Sequence, residues 1–267
     1  GSLRPVEGAL PAAMAAARSG PGRIVVAPAN AREAALATGV EVHAASTFRD
    51  ALDLAKEGFR RPPVQVDAAA LLAESEARHD VDLREVRGLV IAKRALEICA
   101  AGNHPLLLSG PPGAGKTMLA RRLVTLLPPL SVQEALEATA VYSVARLRRE
   151  DALVTQRPWR APHHTVSGGG LVGGGSWPVP GEISLAHHGV LFLDELPEFS
   201  PRVLNQLREP LEDKKLTISR AGAKATWPAD FLLVAARNPC GCVALLPVLG
   251  RRRGGSRGRS RSPRPRS

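Results

Sequence analysis

The chain has 267 residues, 44% of them hydrophobic and 23% charged, a composition typical of a soluble globular protein with one or two domains. Its three cysteines are too few for a disulfide framework, and no apolar run approaches the roughly 18–20 residues that span a bilayer. The net charge of +11 comes mainly from residues 251–267, which carry eight arginines and no acidic residue and leave only +3 for the rest. These features exclude a disulfide-stabilised scaffold and a membrane-spanning chain, and they make the overall charge a poor guide to nucleic-acid binding.

The same features bear on location. The sparse cysteines favour a reducing cytoplasm, and residues 1–11 lack the basic-then-apolar pattern of a signal peptide. We therefore expect a cytoplasmic protein without a membrane partner. The chain begins with Gly rather than Met, which is typical of a fragment of a longer protein.

Residues 1–60 alternate short helices and strands, which predicts a small α/β unit. The expected helices are 11–19, 31–37 and 47–57, the expected strands are 23–27 and 40–44, and Asn30 is the predicted N-cap of the second helix. Because so few elements cannot close a full sheet, we interpret this unit as the end of a domain whose beginning is absent. Residues 61–86, which start with two prolines and continue as a charged stretch, are predicted to be a linker.

From residue 87 a second alternation of strands and helices predicts a parallel, doubly wound sheet with helices on both faces. The expected strands are 104–109, 190–193, 216–219 and 231–236, and the expected helices are 90–101, 117–127, 131–138 and 200–212. Residues 157–181 are rich in Gly, Pro and His and are predicted to form a long loop or hairpin. From residue 243 Arg, Gly, Ser and Pro dominate, so we expect 243–267 to be a disordered tail.

The sequence GPPGAGKT at residues 110–117 fits the phosphate-binding motif G-x-x-x-x-G-K-T, and a predicted strand precedes it while a predicted helix follows. Its glycines let backbone N–H groups surround phosphate oxygens, and the helix N-terminus adds positive potential. The pattern predicts that Lys116 reaches the β- and γ-phosphates of ATP and that Thr117 is a ligand of Mg²⁺. The alternative is a glycine-rich turn with a chance lysine. The predicted ATP-binding residues are Gly110, Pro111, Pro112, Gly113, Ala114, Gly115, Lys116 and Thr117.

A second motif, four apolar residues followed by Asp194 and Glu195, complements the first. A buried strand that ends in two carboxylates places them where ligands of open α/β sheets bind. We predict that Asp194 holds Mg²⁺, and that Glu195 polarises the attacking water as general base. Alone, such a run is more often a strand that meets a solvated turn; the preceding phosphate-binding motif favours the catalytic interpretation.

Asn238, directly after the predicted strand 231–236, is expected to help Glu195 and Lys116 in catalysis by orienting the water. An Asn before Pro is also a common turn former. The adjacent pairs His163-His164 and His187-His188 suggest zinc, but adjacent histidines are expected to point apart, which disfavours a metal. Two further sets of residues are open: Cys240 and Cys242 as half of a thiolate site, and Arg146, Arg148, Arg149 and Arg208 as phosphate or subunit contacts or simply as solvated arginines.

Six strings between and around these motifs resemble the YifB/ComM family of magnesium-chelatase-like AAA+ ATPases: AKRALEI (92–98), RPWRAPHH (157–164), LVGGG (171–175), PGEISLA (180–186), FLDELPEF (192–199) and LREPLE (207–212). The resemblance covers about residues 1–242. It implies an AAA+ module of the helix-2-insert type that works as a homo-oligomeric, hexameric ring. In that arrangement the Gly-rich segment between His164 and Ile183 is the insert hairpin that projects into the pore.

Residues 1–60 resemble the C-terminal half of the Lon-protease-like domain that precedes the ATPase in this family. Lon-type proteases use a Ser-Lys dyad. The segment that would carry the Ser is absent, and Leu10 lies about where the Lys would fall. The resemblance therefore implies an inactive protease domain.

The family also implies a function on DNA, namely branch migration or helicase action on single-stranded or branched DNA. Two alternatives stay open: a protein-remodelling or chelatase-type ATPase, and a nucleotide-binding remnant with little hydrolysis. The nucleotide-binding remnant is an alternative because residues 243–267 replace the family's lid, with its second sensor, and the region that supplies the trans-acting arginine finger. We interpret this tail as a frameshifted reading of a GC-rich gene; the rival interpretation is a genuine Arg/Ser-rich nucleic-acid tail.

Overall fold

A computed structural model of the protein describes residues 1–20, 22–75, 81–145, 147, 152–175, 178–220 and 223–239. Several residues singled out above lie outside these ranges: Arg146, Arg148, Arg149, Cys240, Cys242 and the tail at 243–267. In the described part of the chain, no helix has both the length and the apolar character needed to cross a membrane.

The N-terminal unit contains α1 (Ala9–Ser19), β1 (Arg23–Val26), α2 (Pro28–Ala34), β2 (Glu41–Ala44) and α3 (Phe48–Lys56). Its two strands pair in parallel, with Arg23 opposite Glu41. The prediction that Asn30 caps the second helix is wrong, because that helix begins earlier, with Pro28 in its first turn. Asn30 is instead a buried residue of α2 whose amide accepts from Val6 N–H (2.9 Å) and donates to Val6 O (2.8 Å).

The stretch predicted as a linker contains α4 (Ala68–Ser75) and a short 3-10 helix, Leu83–Glu85. Leu72 of α4 lies in one apolar cluster with Leu10 and Val42 of the N-terminal unit. Helix α7 (Val132–Val144) adds Leu136 to the same cluster. The N-terminal unit therefore packs directly on the second unit through α4 and α7.

The second unit starts with α5 (Val90–Gly102), β3 (Leu106–Ser109), α6 (Lys116–Leu123) and α7 (Val132–Val144). Helix α7 runs past its predicted end at residue 138, and a capping box of Ser131 and Glu134 fixes its start. The stretch at 157–181, predicted to be a long loop or hairpin, contains the short elements β4 (Trp159–Arg160), α8 (Gly168–Val172), β5 (Gly173–Gly174) and β6 (Val179–Pro180), the last two paired as a hairpin. The short hairpin β5–β6 needs glycine, because a Cβ on Gly173 would lie 2.3 Å from the carbonyl oxygen of Val179.

The remaining elements are α9 (Glu182–Leu185), β7 (Val190–Leu193), α10 (Pro201–Asn205), α11 (Arg208–Asp213), β8 (Lys215–Arg220), β9 (Ala223–Pro228) and β10 (Leu232–Arg237). Four strands form a parallel sheet in the order β3-β10-β7-β4. Its central strand β7 is fully buried: Val190 and Phe192 pack with α5 and α6 on one face, while Leu191 and Leu193 pack with α8, α9 and α10 on the other. The predicted α/β class, with a parallel sheet between two layers of helices, is confirmed.

One predicted strand does not belong to that sheet. The segment predicted at 216–219 is part of β8, which pairs only with β9 in an antiparallel hairpin. Leu216 and Ile218 are buried, whereas Thr217 and Ser219 between and beyond them are not. Such alternation is typical of a strand with one solvated face, whereas strands of a covered parallel sheet are apolar on both faces.

Candidate functional site

The carboxyl ends of three parallel strands meet at one edge of the sheet and carry the predicted motifs. The phosphate-binding loop follows β3, Asp194 follows β7, and Asn238 follows β10. The strand register holds these ends side by side, since Ser109 lies opposite Arg237 and Leu193 opposite Ala235. We call this edge the motif edge.

The loop between β3 and α6 curls because two of its residues adopt left-handed backbone conformations. Gly113 has φ of 76° and Gly115 has φ of 80°, a region that glycine enters without steric cost. Gly115 is also the N-cap of α6, so the free N–H groups of the first helical turn face the loop. This arrangement is the one that binds phosphate in glycine-rich loops at helix N-termini.

The ammonium group of Lys116 lies inside the loop and links it to β10. It donates to the carbonyl oxygens of Gly110 (2.8 Å) and Pro111 (3.0 Å) and to Oδ1 of Asn238 (2.9 Å). These three acceptors match the three protons of the group. All three are neutral, so an anionic phosphate oxygen is a stronger partner for the lysine than any of them.

The two predicted magnesium ligands lie next to each other. Thr117 Oγ1 donates to Asp194 Oδ2 at 2.7 Å, although 77 residues separate them in the chain. Hydroxyl and carboxylate oxygens are the ligand types that Mg²⁺ takes when it also binds phosphates. The donor set therefore fits the predicted ion.

Glu195 turns sharply away from the end of β7. Its backbone is left-handed (φ 52°, ψ 48°), which is uncommon for a residue with a side chain, and its N–H donates to Asp194 Oδ1 (3.0 Å). A 3-10 helix, Leu196–Glu198, follows at once. The turn separates two successive carboxylates: Asp194 contacts Thr117, while Glu195 stays half-exposed and lines a cleft.

That cleft has a volume of about 580 Å³ and is lined by Ser109, Glu195, Pro197, Glu198, Arg237, Asn238 and Pro239. Its size is that of a small-molecule site. It brings together two of the three predicted catalytic residues, Glu195 and Asn238, and Lys116 contacts Asn238 at its wall. Arg208, by contrast, is an exposed residue at the start of α11 and is not among the residues that line the cleft.

The expectation that adjacent histidines point apart is wrong for both pairs. The rings of His163 and His164 have centroids 4.0 Å apart, and those of His187 and His188 are 3.7 Å apart. In the second pair the cause is visible in the backbone, because His188 is left-handed (φ 57°) and the chain reverses there. The two pairs lie at opposite edges of the sheet.

His164 is the residue at the motif edge that sequence reasoning missed. Its Nδ1 lies 3.5 Å from Oε2 of Glu195. The signal was its place just after β4, the strand that pairs with β7. That strand is only two residues long, so the surrounding Gly- and Pro-rich sequence predicted a loop instead.

His187 and His188 form a cluster with Glu137, and the three ligand atoms lie within 4.8 Å of one another. Glu137 Oε2 is 2.7 Å from His188 Nε2 and 3.4 Å from His187 Nε2. Burial, with the neighbouring His188, lowers the pKa of His187 to about 4. Asp230 N–H donates to His187 Nδ1 (3.1 Å), so the neutral ring carries its proton on Nε2, the atom that faces Glu137. A protonated nitrogen has no lone pair for a metal, and the hydrogen bond within the cluster joins His188 Nε2 to Glu137 Oε2.

Comparison with known proteins identifies the family. Residues 82–251 match the family model described as magnesium chelatase, subunit ChlI. The chain belongs to this magnesium-chelatase-like family. The match ends at residue 251 and so extends beyond residue 242, where the sequence analysis ended the resemblance.

Within the family the chain is similar to YifB and ComM, which confirms the predicted branch. It is 48% identical to the uncharacterized protein YifB of Salmonella typhimurium over 241 residues, which cover 90% of this chain and 46% of YifB. It is 46% identical to the competence protein ComM of Haemophilus influenzae over 239 residues, which cover 90% of this chain and 47% of ComM. The chain thus spans about half the length of these relatives.

A solved structure with a detectable likeness is the cryo-EM-based complex of subunits BchI and BchD of magnesium chelatase. It shares 26% sequence identity and a TM-score of 0.45, covering 55% of this chain and 51% of that one.

Proposed function

We propose that this chain is the nucleotide-binding core of an AAA+ ATPase, which binds ATP with Mg²⁺ at the motif edge and hydrolyses it. The observation that carries the proposal is the joining of three motifs that are distant in sequence. Lys116 contacts Asn238 across 122 residues of chain, and Thr117 contacts Asp194 across 77. Chance glycine-rich turns do not bring a lysine, a hydroxyl, two carboxylates and an amide to one edge of a sheet.

Each side chain has a part in the proposed reaction. The backbone N–H groups of residues 110–115 and the ammonium of Lys116 bind the β- and γ-phosphates. Thr117 and Asp194 hold Mg²⁺, which when bound neutralises charge on the phosphate oxygens. Glu195 accepts a proton from water as the water oxygen bonds to the γ-phosphorus and the bond to the ADP oxygen breaks. Asn238 orients that water.

A nucleotide also needs a surface for its base, and apolar side chains beside the loop supply one. Leu89, Val90, Ile91 and Met118 are 45%, 77%, 88% and 37% exposed. Met118 and Leu89 lie closest to the loop, next to Gly115. A purine ring that covers part of this surface removes apolar area from water, which supports binding of a nucleotide rather than of inorganic phosphate.

Binding of a fluorescent ATP analogue to the purified chain, with and without Mg²⁺, tests the proposal directly. We expect saturable binding that ATP and ADP displace and inorganic phosphate does not. Absence of binding to the folded chain would refute the proposal. Hydrolysis is then followed as ADP production, and slow turnover is expected for the isolated chain, because a trans-acting arginine finger supplies about 10³–10⁵ in rate.

We further propose that the whole protein is a ring-forming DNA-remodelling motor that acts on single-stranded or branched DNA. The support is the membership of the YifB/ComM branch, one relative of which is named a competence protein. The β5–β6 hairpin is the segment that would reach the pore of such a ring. A full-length protein whose ATPase rate does not respond to any DNA would contradict this proposal.

The rival function is a protein-remodelling or chelatase-type ATPase, and the description of the family model after a chelatase subunit favours it. A protein partner, not DNA, would then stimulate hydrolysis. Residues 1–60 are proposed in either case to be the end of an inactive Lon-like domain. The position where a catalytic Lys would fall is Leu10, which is fully buried in the apolar cluster.

A further inference from the structure

A histidine faces the carboxylate that the proposed reaction uses as its base. His164 Nδ1 lies 3.5 Å from Glu195 Oε2, with 29% of the histidine and 52% of the glutamate side chain exposed. Glu195 is held at its backbone by the left-handed turn and by Asp194, but its side chain is otherwise free to sample rotamers. Because a glutamate side chain can adopt many rotamers, a partner that selects one of them fixes the orientation of the carboxylate.

The ring of His164 is fixed from two sides. Its edge packs against the ring of Phe199, with centroids 6.4 Å apart and planes at 80°, and Phe199 is only 2% exposed within the core. The ring of His163 covers the other side at 4.0 Å. His163 is itself tied to Thr165, since its Nδ1 lies 2.9 Å from Thr165 Oγ1. His164 therefore has two ring contacts that restrain it, whereas the carboxylate of Glu195 is half-exposed at the cleft.

The backbone that leads to His164 is also anchored. In β4, Trp159 and Arg160 pair with Val190 and Leu191 of β7. The guanidinium of Arg160 donates twice to the carboxylate of Glu182, both at 2.6 Å, and this contact raises the pKa of Arg160. Because β4 and β7 run in parallel, the residues that follow them emerge at the same edge, which puts His164 beside Glu195.

We propose that His164 is a positioning residue that binds one carboxylate oxygen of Glu195 and leaves the other to face the attacking water. This inference rests on the proposed function, in which Glu195 is the general base. The ring donates from Nδ1–H to Oε2, and Oε1 takes the proton from water. At 3.5 Å the contact is longer than a hydrogen bond, as catalytic contacts often are before substrate binds, and a small rotation of the glutamate closes it.

The test compares one substitution at two neighbouring positions. His164→Phe and His163→Phe both keep an aromatic ring in the stack, but only the first removes the nitrogen that faces Glu195. For His164→Phe we expect the single-turnover hydrolysis rate to fall about 10- to 100-fold, because a misplaced base loses its attack geometry. The dissociation constant for ATP should stay unchanged. His163→Phe should keep the wild-type rate.

A third variant separates the nitrogen from the ring. In His164→Asn the side-chain amide nitrogen takes the place of Nδ1 and can donate to Glu195, so we expect most of the lost rate to return. In a Glu195→Gln background, removing His164 should produce no further loss, since the two residues act on one step. Equal losses in His163→Phe and His164→Phe, or no rescue by Asn, would overturn the proposal.

A measurement that needs no turnover keeps this inference separate from the proposed function. In protein labelled with ¹⁵N-histidine, Glu195→Gln should move the ring-nitrogen signals of His164 and leave those of His163 in place. If the wild-type chain hydrolyses ATP no faster than Glu195→Gln, the proposed hydrolysis fails while the contact stands on this signal. If the signals of His164 do not move, the contact is refuted whatever the rate.

Discussion

The two edges of the parallel sheet carry the same kinds of side chain, but these side chains have different roles at each edge. Each has a pair of histidines with adjacent, tilted rings beside a glutamate, and each has a basic residue close by. At the motif edge Glu195 and His164 are partly exposed and face a cleft. At the other edge, which we call the anchor edge, His187 is 4% exposed and bound by Asp230 N–H.

Arginine 157 shows the difference most clearly. At the anchor edge its guanidinium donates to the carbonyl oxygens of Pro128 (2.5 Å), His188 (2.8 Å) and Pro129 (3.3 Å) and to the carboxylate of Glu134. These contacts join the segments at 128–134, 157 and 188, so this cation stabilises the fold. At the motif edge Lys116 also binds carbonyl oxygens, but those belong to an exposed loop built to receive an anion. A binding site therefore differs from a purely structural contact, which we call a brace, in that a ligand can replace the partners of its charged group.

Lysine 116→alanine tests the motif edge at its centre and should have the largest effect. Removing the cation that meets the phosphates should weaken binding of a fluorescent ATP analogue by at least about 10³-fold. The control is Lys214→Ala, which removes an exposed ion pair with Asp230 at the anchor edge. That variant should bind the analogue like the wild type, and equal losses in both would erase the distinction between the edges.

Glutamate 195→glutamine should separate binding from chemistry. The amide keeps the shape of the side chain but cannot accept the proton, so ADP production in a single turnover should fall about 10³-fold while the analogue still binds. Chromatography of the nucleotides over long incubation is the measurement. Hydrolysis at the wild-type rate in this variant would remove Glu195 from the proposed mechanism.

The sequence was informative where a residue's role follows from a local pattern. The phosphate-binding loop and the apolar strand before Asp194 are local, and parallel strands bring their carboxyl ends together by geometry. That reasoning predicted that Lys116, Thr117, Asp194 and Asn238 lie at the same edge of the sheet. Their chemical roles remain predictions.

Contacts that depend on a turn or on a very short strand were out of reach. The two residues of β4 carry too little pattern to be seen as a strand, so the approach of His164 to Glu195 was missed. The convergence of His187 and His188 depends on one left-handed residue, and although histidine enters that conformation more often than most side chains, the sequence does not show which histidine does so. The β8–β9 hairpin was predicted only in part, since β8 was expected to be a strand but was assigned to the parallel sheet. The alternation of buried and exposed residues in β8 indicates a strand with one solvated face, not a strand of the covered sheet.

Arginine 157→alanine tests the anchor edge as a brace. The side chain is 13% exposed, and its loss removes the arginine donor from three carbonyl oxygens and one of the donors to the carboxylate of Glu134. We expect the free energy of unfolding in urea to fall by about 3 kcal/mol. Arg94→Ala, which removes a pair with Glu97 at a side chain 71% exposed, is the control and should cost less than about 0.5 kcal/mol. If the loss of Arg157 weakens nucleotide binding more than it weakens folding, the anchor edge is not merely a brace.

The smallest expected effect is a dependence of folding stability on pH, which arises from His187 at the anchor edge. Burial lowers the pKa of His187 from its usual 6.5 to about 4. Above pH 6.5 both the folded and the unfolded chain hold it neutral. Between pH 6.5 and 4 the unfolded chain binds a proton that the folded chain does not, so stability falls with falling pH and the loss levels off below 4. At pH 5 the loss is about 2 kcal/mol.

A matched variant isolates this contribution. In His187→Asn the side-chain oxygen takes the place of Nδ1 and still accepts from Asp230 N–H, but the residue no longer titrates. The difference between the unfolding free energies of wild type and variant should therefore shrink by about 2 kcal/mol between pH 7 and pH 5. The pKa of Glu137 is lowered by its hydrogen bond to His188, so the stability that this carboxylate contributes to the protein falls at lower pH in both proteins. A difference that stays constant across this window would mean that His187 takes up its proton in the folded chain as it does in the unfolded one, so that the anchor edge would hold a charged ring at pH 5.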